Sequence, residues 1–334
     1  MSLFQKPSEL AIRPTFKALI YGEPGIGKST LALSAPNPVV FDFDGGITRV
    51  NAAFQCPALQ IGNRTDANGN VVLAWEVVRQ ALDELKAGGT GFKTIVIDTA
   101  GKMLDYMSDY IIRTDRSPKH LMSTASGELS MQGYGVRKRM FVNFLFECAT
   151  LNMNVVFVAH AKEEKKKKGN EEFVYIRPDI GGSSSGDLIK ELDLVGYARA
   201  NGYQRVITWN PCDEFYAKNA CNLQPDMSIN TIIDKNGNIT GNNNFMTTIF
   251  DIYAKYLEKQ REIRAKYDAL MANVNAEIAA INTIEEANKF KDKLLASEKS
   301  AIWDSVVRSK TALHERCTAL GFKFNKTTGN YEAA

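Results

Sequence analysis

An α/β fold with a mostly parallel sheet, followed by a C-terminal α-helical appendage, is what the sequence predicts, and three observations carry that expectation. Short apolar runs alternate with helix-length segments from Phe16 onward, the pattern of a parallel sheet covered on both faces. The first run leads directly into Gly22-Glu23-Pro24-Gly25-Ile26-Gly27-Lys28-Ser29, which fills every fixed position of the P-loop pattern G-x-x-x-x-G-K-[ST]. After residue 247 the character changes to long charged helical stretches.

Taken in order, residues 1–15 read as a polar arm with two prolines. The run 16–21 is a buried strand, and Thr30 to Ser34 continues past the glycines as a helix. This order suits phosphate binding. Gly22, Gly25 and Gly27 let the backbone curl so that its N–H groups converge at a helix N-terminus that already favours negative charge. Residues Gly22 to Thr30, Glu23, Pro24 and Ile26 included, would wrap the phosphates of ATP. Lys28 would reach the β- and γ-phosphates, and the Ser29 hydroxyl would hold Mg2+.

The second strand, 38–43, runs Val39-Val40-Phe41-Asp42-Phe43-Asp44. Alternation puts Asp42 and Asp44 on one side, where either could orient or deprotonate an attacking water; Asp44, nearer the strand end, is preferred. A strand is expected at 58–62 and a helix at 73–87. Thr94-Ile95-Val96-Ile97-Asp98, with Thr99 following, reads as a Walker B strand whose Asp98 holds the magnesium together with Ser29. Helices are expected at 100–113 and 133–151, and a strand at 154–159 that ends at His160, placed to respond to the γ-phosphate. Strands at 194–199, 203–209 and 214–218 crowd together, with Gly202 in a tight turn, as antiparallel additions at a sheet edge.

Two long loops are expected. One, 114–132, carries Arg116, Lys119 and His120. The other, 161–172, holds Lys162, Lys165, Lys166, Lys167 and Lys168 against four glutamates, so four consecutive lysines could meet the phosphates of single-stranded DNA. Phe173, Tyr175 and Tyr134 are the nearby aromatics for base stacking. Gly181-Gly182-Ser183-Ser184-Ser185-Gly186 lacks the lysine of a P-loop and reads as a helix-entry loop. Around Asp234 to Thr240 an Asn-Gly hairpin is expected; its Asp-x-Asn is not a calcium loop, since no glutamate closes it. The domain plan is therefore an arm at 1–15, a core at 16–225, a hairpin or linker at 226–248 and helices over 249–334. There, Thr283-Ile284-Glu285-Glu286 is a capping box, Gly321 stops a helix and the tail forms a hairpin near Thr328-Gly329.

Composition excludes several classes. The apolar fraction of 44% is ordinary for a globular chain, and no apolar run approaches the ~20 residues that span a bilayer. A net charge of +3 makes no global case for nucleic acid, so that case rests on local clusters. Five cysteines without C-x-x-C spacing and three histidines argue against structural zinc or disulfides, which with the lack of a leader-like N-terminus favours the cytoplasm.

With these residues in place, the chain resembles the RecA-like P-loop ATPases, most closely the short phage-type members that accompany or perform single-strand annealing and recombination. The P-loop, the acidic end of the second strand, the Asp98 strand, the strand ending at His160 and the Gln132-Gly133-Tyr134-Gly135 helix entry carry the resemblance over about 16–220. It implies an ATPase that meets single-stranded DNA through loops after its strands and assembles as a homo-oligomer. It also implies a basic residue near the core's end, here Lys218, that reaches a neighbour's nucleotide. The chain departs from the pattern in having Asp44 where Glu is usual, and Ala220 where a second basic residue often stands. Two other readings remain: a nucleotide-gated loader acting on a protein partner through 249–334, and a nucleotide kinase, for which no lid arginine cluster is found.

Overall fold

The structure is a computed structural model that describes residues 15–117, 121–168, 171–181, 184–201, 204–234, 236–297 and 303–334. The expected arm up to residue 14, Lys119, His120, Gly182, Ser183 and Gly202 lie outside the described residues. The chain divides into two compact units, one formed by Arg13–Ala254 and one containing Lys255–Ala334.

The core unit opens with β1 (Lys17–Gly22), α1 (Lys28–Ala32), β2 (Pro38–Asp42) and β3 (Ala58–Gln60). A small ribbon of β4 (Arg64–Thr65) and β5 (Val71–Val72) leads to α2 (Ala74–Ala87), β6 (Thr94–Asp98), α3 (Ala100–Arg113) and α4 (Met131–Thr150). Then follow β7 (Asn154–Lys168), β8 (Glu171–Pro178), α5 (Ser184–Glu191), β9 (Leu194–Asn201), β10 (Gln204–Thr208), β11 (Lys218–Asn219) and β12 (Asp226–Ile229).

The main sheet has the order β12-β10-β9-β1-β7-β6-β2-β3. From β9 to β3 every neighbour is parallel, whereas β10, β12 and the short β11 add antiparallel at the β9 side. The alternation of side chains along each strand builds two cores. Leu19, Tyr21, Phe41, Ile95, Ile97 and Phe157 pack toward α2, α3 and α4. Ala18, Ile20, Val40, Val96 and Val156 pack on the other face with Leu31 of α1 and with Met246 and Ile249. A strand buried on both faces needs an unbroken apolar run, which is what β1 and β6 have.

The parallel order has one consequence for chemistry. β1, which feeds the P-loop, and β6, which ends at Asp98, are not neighbours; β7 lies between them. Residues 226–248 stay with the core: β12 pairs with β10, Ile233 bridges to Ile239, and the hydroxyl and carbonyl of Ser34 accept from the N–H groups of Met246 and Thr247.

A 35-residue helix, α6 (Phe245–Ala279), begins in the core unit. The second unit comprises the rest of α6, α7 (Ile284–Ser297), α8 (Trp303–Ala319) and the hairpin β13 (Phe322–Asn325) and β14 (Asn330–Ala333). Its own core joins Ile278, Phe290, Leu294, Val306, Leu313 and Tyr331. The capping box is present: Thr283 Oγ1 accepts from the Glu286 N–H and the Glu286 carboxylate from the Thr283 N–H. Gly321 follows α8 at φ 78°, and the tail forms the expected hairpin. No helix among the described residues is long and apolar enough to cross a membrane.

Candidate nucleotide-binding site

The site sits at the carboxyl ends of the parallel strands. β1 ends at Gly22, which must be glycine because a β-carbon there would lie 2.2 Å from the Ala198 carbonyl oxygen of β9. The chain then turns through Gly25 (φ 80°) and Gly27 (φ 92°), left-handed positions that favour glycine, and enters α1 at Lys28. Among the described residues, the backbone N–H groups of Gly25, Ile26 and Gly27 donate to no acceptor, so they are available to a phosphate.

Lys28 is buried, and its ammonium donates to the Glu23 carbonyl at 2.8 Å. Burial pushes its pKa down, against the pull of Asp98 and Glu23. The Ser29 hydroxyl lies beside the Asp98 carboxylate and favours its charged form. Burial pushes the Asp98 pKa up and the charges of Asp42 and Asp44 add to that, while the Ser29 hydroxyl and Lys28 oppose it. A buried carboxylate with two acidic neighbours and one lysine is short of positive charge, and its oxygens together with a serine hydroxyl are the hard donors that Mg2+ takes.

A cleft of about 320 Å3 joins Lys28, Ser29, Asp44, Arg49, Asp98 and His160. Thus Asp44, Asp98 and His160 converge on the P-loop. His160 is there because β7 runs between the two motif strands and is in register with Gly22.

Asp42 does not face the cleft as Asp44 does, which corrects the expectation that the two share a side. The strand ends at Asp42, whose buried carboxylate accepts from the N–H groups of Gly46 (2.9 Å), Ile47 (3.2 Å) and Asp44 (3.4 Å). Those three donors fold the chain back at Gly45 (φ 67°) and carry Asp44 out of the strand's alternation. Exposed Asp44 is held by Arg49, 3.7 Å between charges, which also donates to the Asp44 carbonyl at 3.1 Å.

One placement and one further correction follow. Lys218, expected to reach a neighbour's nucleotide, has its ammonium donating to the Ile189 and Lys190 carbonyls at 3.2 and 3.4 Å, satisfying the last turn of α5. Residues 161–172 are not a loop for the most part: β7 continues to Lys168 and pairs with β8 as a hairpin. Four successive lysines on a strand cannot face one way. Lys162 and Lys166 share a face with Phe173, Tyr175 and Arg177, while Lys165 and Lys167 lie on the other. Lys166 lies over the Tyr175 ring at 3.3 Å, and Lys162 and Lys167 pair with Asp179 and Glu172. The Lys168 backbone ends the strand.

Two residues that touch the site escaped sequence reasoning. Arg49 belongs to no motif; its only local signal is an Arg five residues after Asp44 across a Gly45-Gly46 turn. Arg205 on β10 donates to the Ile26 carbonyl of the P-loop at 3.4 Å and to the Asn230 carbonyl at 3.2 Å. Nothing in its neighbourhood of the sequence points there, since only the sheet brings β10 to the P-loop.

Fold and site together define a P-loop α/β protein. Residues 15–221 match the family model described as an AAA domain, and the chain belongs to that family. No curated protein matches the sequence. Among solved structures, the RadB recombinase is similar at 12% identity over 58% of this chain and 79% of that chain, with a TM-score of 0.28. A KaiC-like protein, PH0186 from Pyrococcus horikoshii OT3, is similar at 9% identity over 58% and 77%, with a TM-score of 0.31.

Proposed function

We propose that the chain is an Mg2+-dependent ATPase of RecA-like type that acts on single-stranded DNA, in recombination or replication of the phage type. The ATP half rests on the convergence of Lys28, Ser29, Asp44 and Asp98 on one cleft. Lys28 and the free N–H groups of the P-loop bind the terminal phosphates, and Ser29 with Asp98 would hold Mg2+, which neutralises phosphate charge when bound. Asp44 accepts the proton of the attacking water, Arg49 sets where the Asp44 carboxylate stands, and His160 lines the cleft at the same end.

The single observation that carries the DNA half is the path of β7. One strand runs from His160 in the cleft, without interruption, into a hairpin whose one face carries Lys162, Lys166, Arg177, Phe173 and Tyr175. Cations beside half-buried rings suit a strand of phosphates and stacked bases; Glu164, an acid on that face, is paired with Arg177 at 2.9 Å, and Lys162 meets Asp179 at 3.7 Å. A rigid strand also offers a direct link between what the hairpin holds and the state of the cleft. The test is ATP turnover with and without a single-stranded oligonucleotide, beside salt-dependent binding of the same oligonucleotide. Stimulated turnover is expected; no stimulation together with salt-insensitive binding would overturn the DNA reading while leaving the ATPase one.

One observation favours a second reading, a nucleotide-gated loader acting on a protein. The helical unit holds an apolar groove lined by Leu294, Leu295, Leu313, Phe322 and Phe324 and bordered by lysines. In that case a binding protein, and not DNA, would alter turnover.

A further inference from the structure

Behind the P-loop lies a second cavity of about 500 Å3 that the phosphate cleft does not account for. The two cavities share Gly27 and Thr30 and diverge from there. One leads to Asp98, Asp44 and His160; the other leads past Leu31 to β12 and to the segment that enters α6. Its floor is apolar, with Met227, Ile229 and Phe245 packed on the core. Its rim is polar, with Thr231 and the asparagines 230, 242 and 244. Among the described residues, the side-chain amides of Asn230, Asn242 and Asn244 make no hydrogen bond, whereas Asn243 donates to the Thr30 carbonyl at 2.9 Å and ties the segment to α1.

We propose that this cavity binds the purine base and ribose of the nucleotide, so that residues 226–248, outside the matched AAA domain, complete the site. The inference rests on the nucleotide reading above and adds where the nucleoside goes. If Lys28, Ser29 and Asp98 take the β- and γ-phosphates, the rest of the nucleotide runs away from Asp98 along the P-loop, and Gly27 and Thr30, common to both cavities, mark where it can pass from one to the other. A planar base lies against Phe245 and the two aliphatic side chains, while free amides, each both donor and acceptor, meet its polar edge. Apolar walls with a few convergent polar groups are what small-ligand sites of this size are built from. Arg205 supports both parts, bonding the P-loop at Ile26 and the rim at Asn230, and it braces the junction where a β-carbon on Gly27 would stand only 2.7 Å from its guanidinium.

Affinities of ATP and of inorganic tripolyphosphate, both with Mg2+, test this by calorimetry on the full chain. In the wild type ATP is expected to bind at least about tenfold more tightly than tripolyphosphate, a typical return for well-placed polar and stacking contacts. Thr231→Trp, which fills the cavity from its exposed rim, and the pair Asn242→Ala with Asn244→Ala should each remove most of that advantage and leave tripolyphosphate within about twofold. Equal affinities in the wild type, or variants that keep the full advantage for ATP, would overturn the base pocket with the P-loop reading intact. Binding of neither ligand would overturn both. Photolabelling of the unaltered protein with 8-azido-ATP does not depend on the variants folding. Label on the peptide spanning 226–248 is expected, and label confined to other peptides would overturn the proposal.

Discussion

Asp98→Asn should make the ligand-free chain more stable and at the same time abolish its response to Mg2+ and ATP. Asp42 Oδ1 and Asp98 Oδ2 each lie 3.9 Å from the place a β-carbon on Gly46 would take, so the two oxygens are at most about 8 Å apart. At an effective dielectric near 20, two unit charges about 8 Å apart repel by about 2 kcal/mol. Asp98 is buried and its pKa is raised, so its contribution to stability is present below the unfolded carboxylate value and lost as pH rises through the folded one. The charged form of Asp98 is thus a net cost that the amide removes. About 8 Å is the largest separation, so this is a floor on that repulsion; Lys28 loses part of its counter-charge in the exchange, which works the other way and leaves a net gain on the order of 2 kcal/mol. For a unit of this size that corresponds to a rise in Tm of about 4–8 °C, measured by calorimetry in EDTA. The wild type with Mg2+ and ATP at about 100 Kd gains about 2.7 kcal/mol by mass action, and the variant should gain almost none. A lower Tm in EDTA, or a full response to Mg2+ and ATP in the variant, would refute the assignment of Asp98 as the metal-holding carboxylate.

Gly22→Ala forces a β-carbon against the Ala198 carbonyl, and the cost should lie near the top of the roughly 1–3 kcal/mol of overpacking; an unchanged urea midpoint would show that β1 and β9 can part there. Asp42→Ala leaves three N–H groups without their charged acceptor and should destabilise the chain by about 1.5–3 kcal/mol. Asp44→Asn should leave thermal unfolding and ATP affinity near wild type and slow turnover, and the opposite pattern would exchange the roles of the two aspartates. Lys162→Ala with Lys166→Ala should weaken single-stranded DNA binding and flatten its log–log salt slope by about 1.4, two lysines at about 0.7 each. Lys165→Ala with Lys167→Ala, on the other face, should change the slope less, so equal losses from both pairs would argue against a one-sided DNA face.

The amino-acid sequence by itself determined the local pieces whose causes are local. A glycine that must turn left-handed, a lysine and serine at a helix start, a β-branched run ending in Asp98, and Thr283 with Glu286 three residues on all act over a few residues, and each stands where the pattern puts it. Strand order is different, because it is set by which apolar faces pack across the whole sheet. Only the tertiary structure inserted β7 between β1 and β6, which is the reason that His160, expected near the γ-phosphate, lines the cleft. It likewise bent the chain at Gly45 to separate Asp44 from Asp42, through N–H donors that no spacing announces. Lys218 is another case: a cation is legible in the sequence, but the α5 carbonyls that its ammonium meets lie nearly thirty residues away. The lysine run shows it too, since strand pairing with β8, a long-range event, decided that its charges face two ways. Arg205 and the asparagines around residue 242 reach the P-loop only through sheet edges and α6, contacts that exist after the fold closes and leave no mark on neighbouring residues.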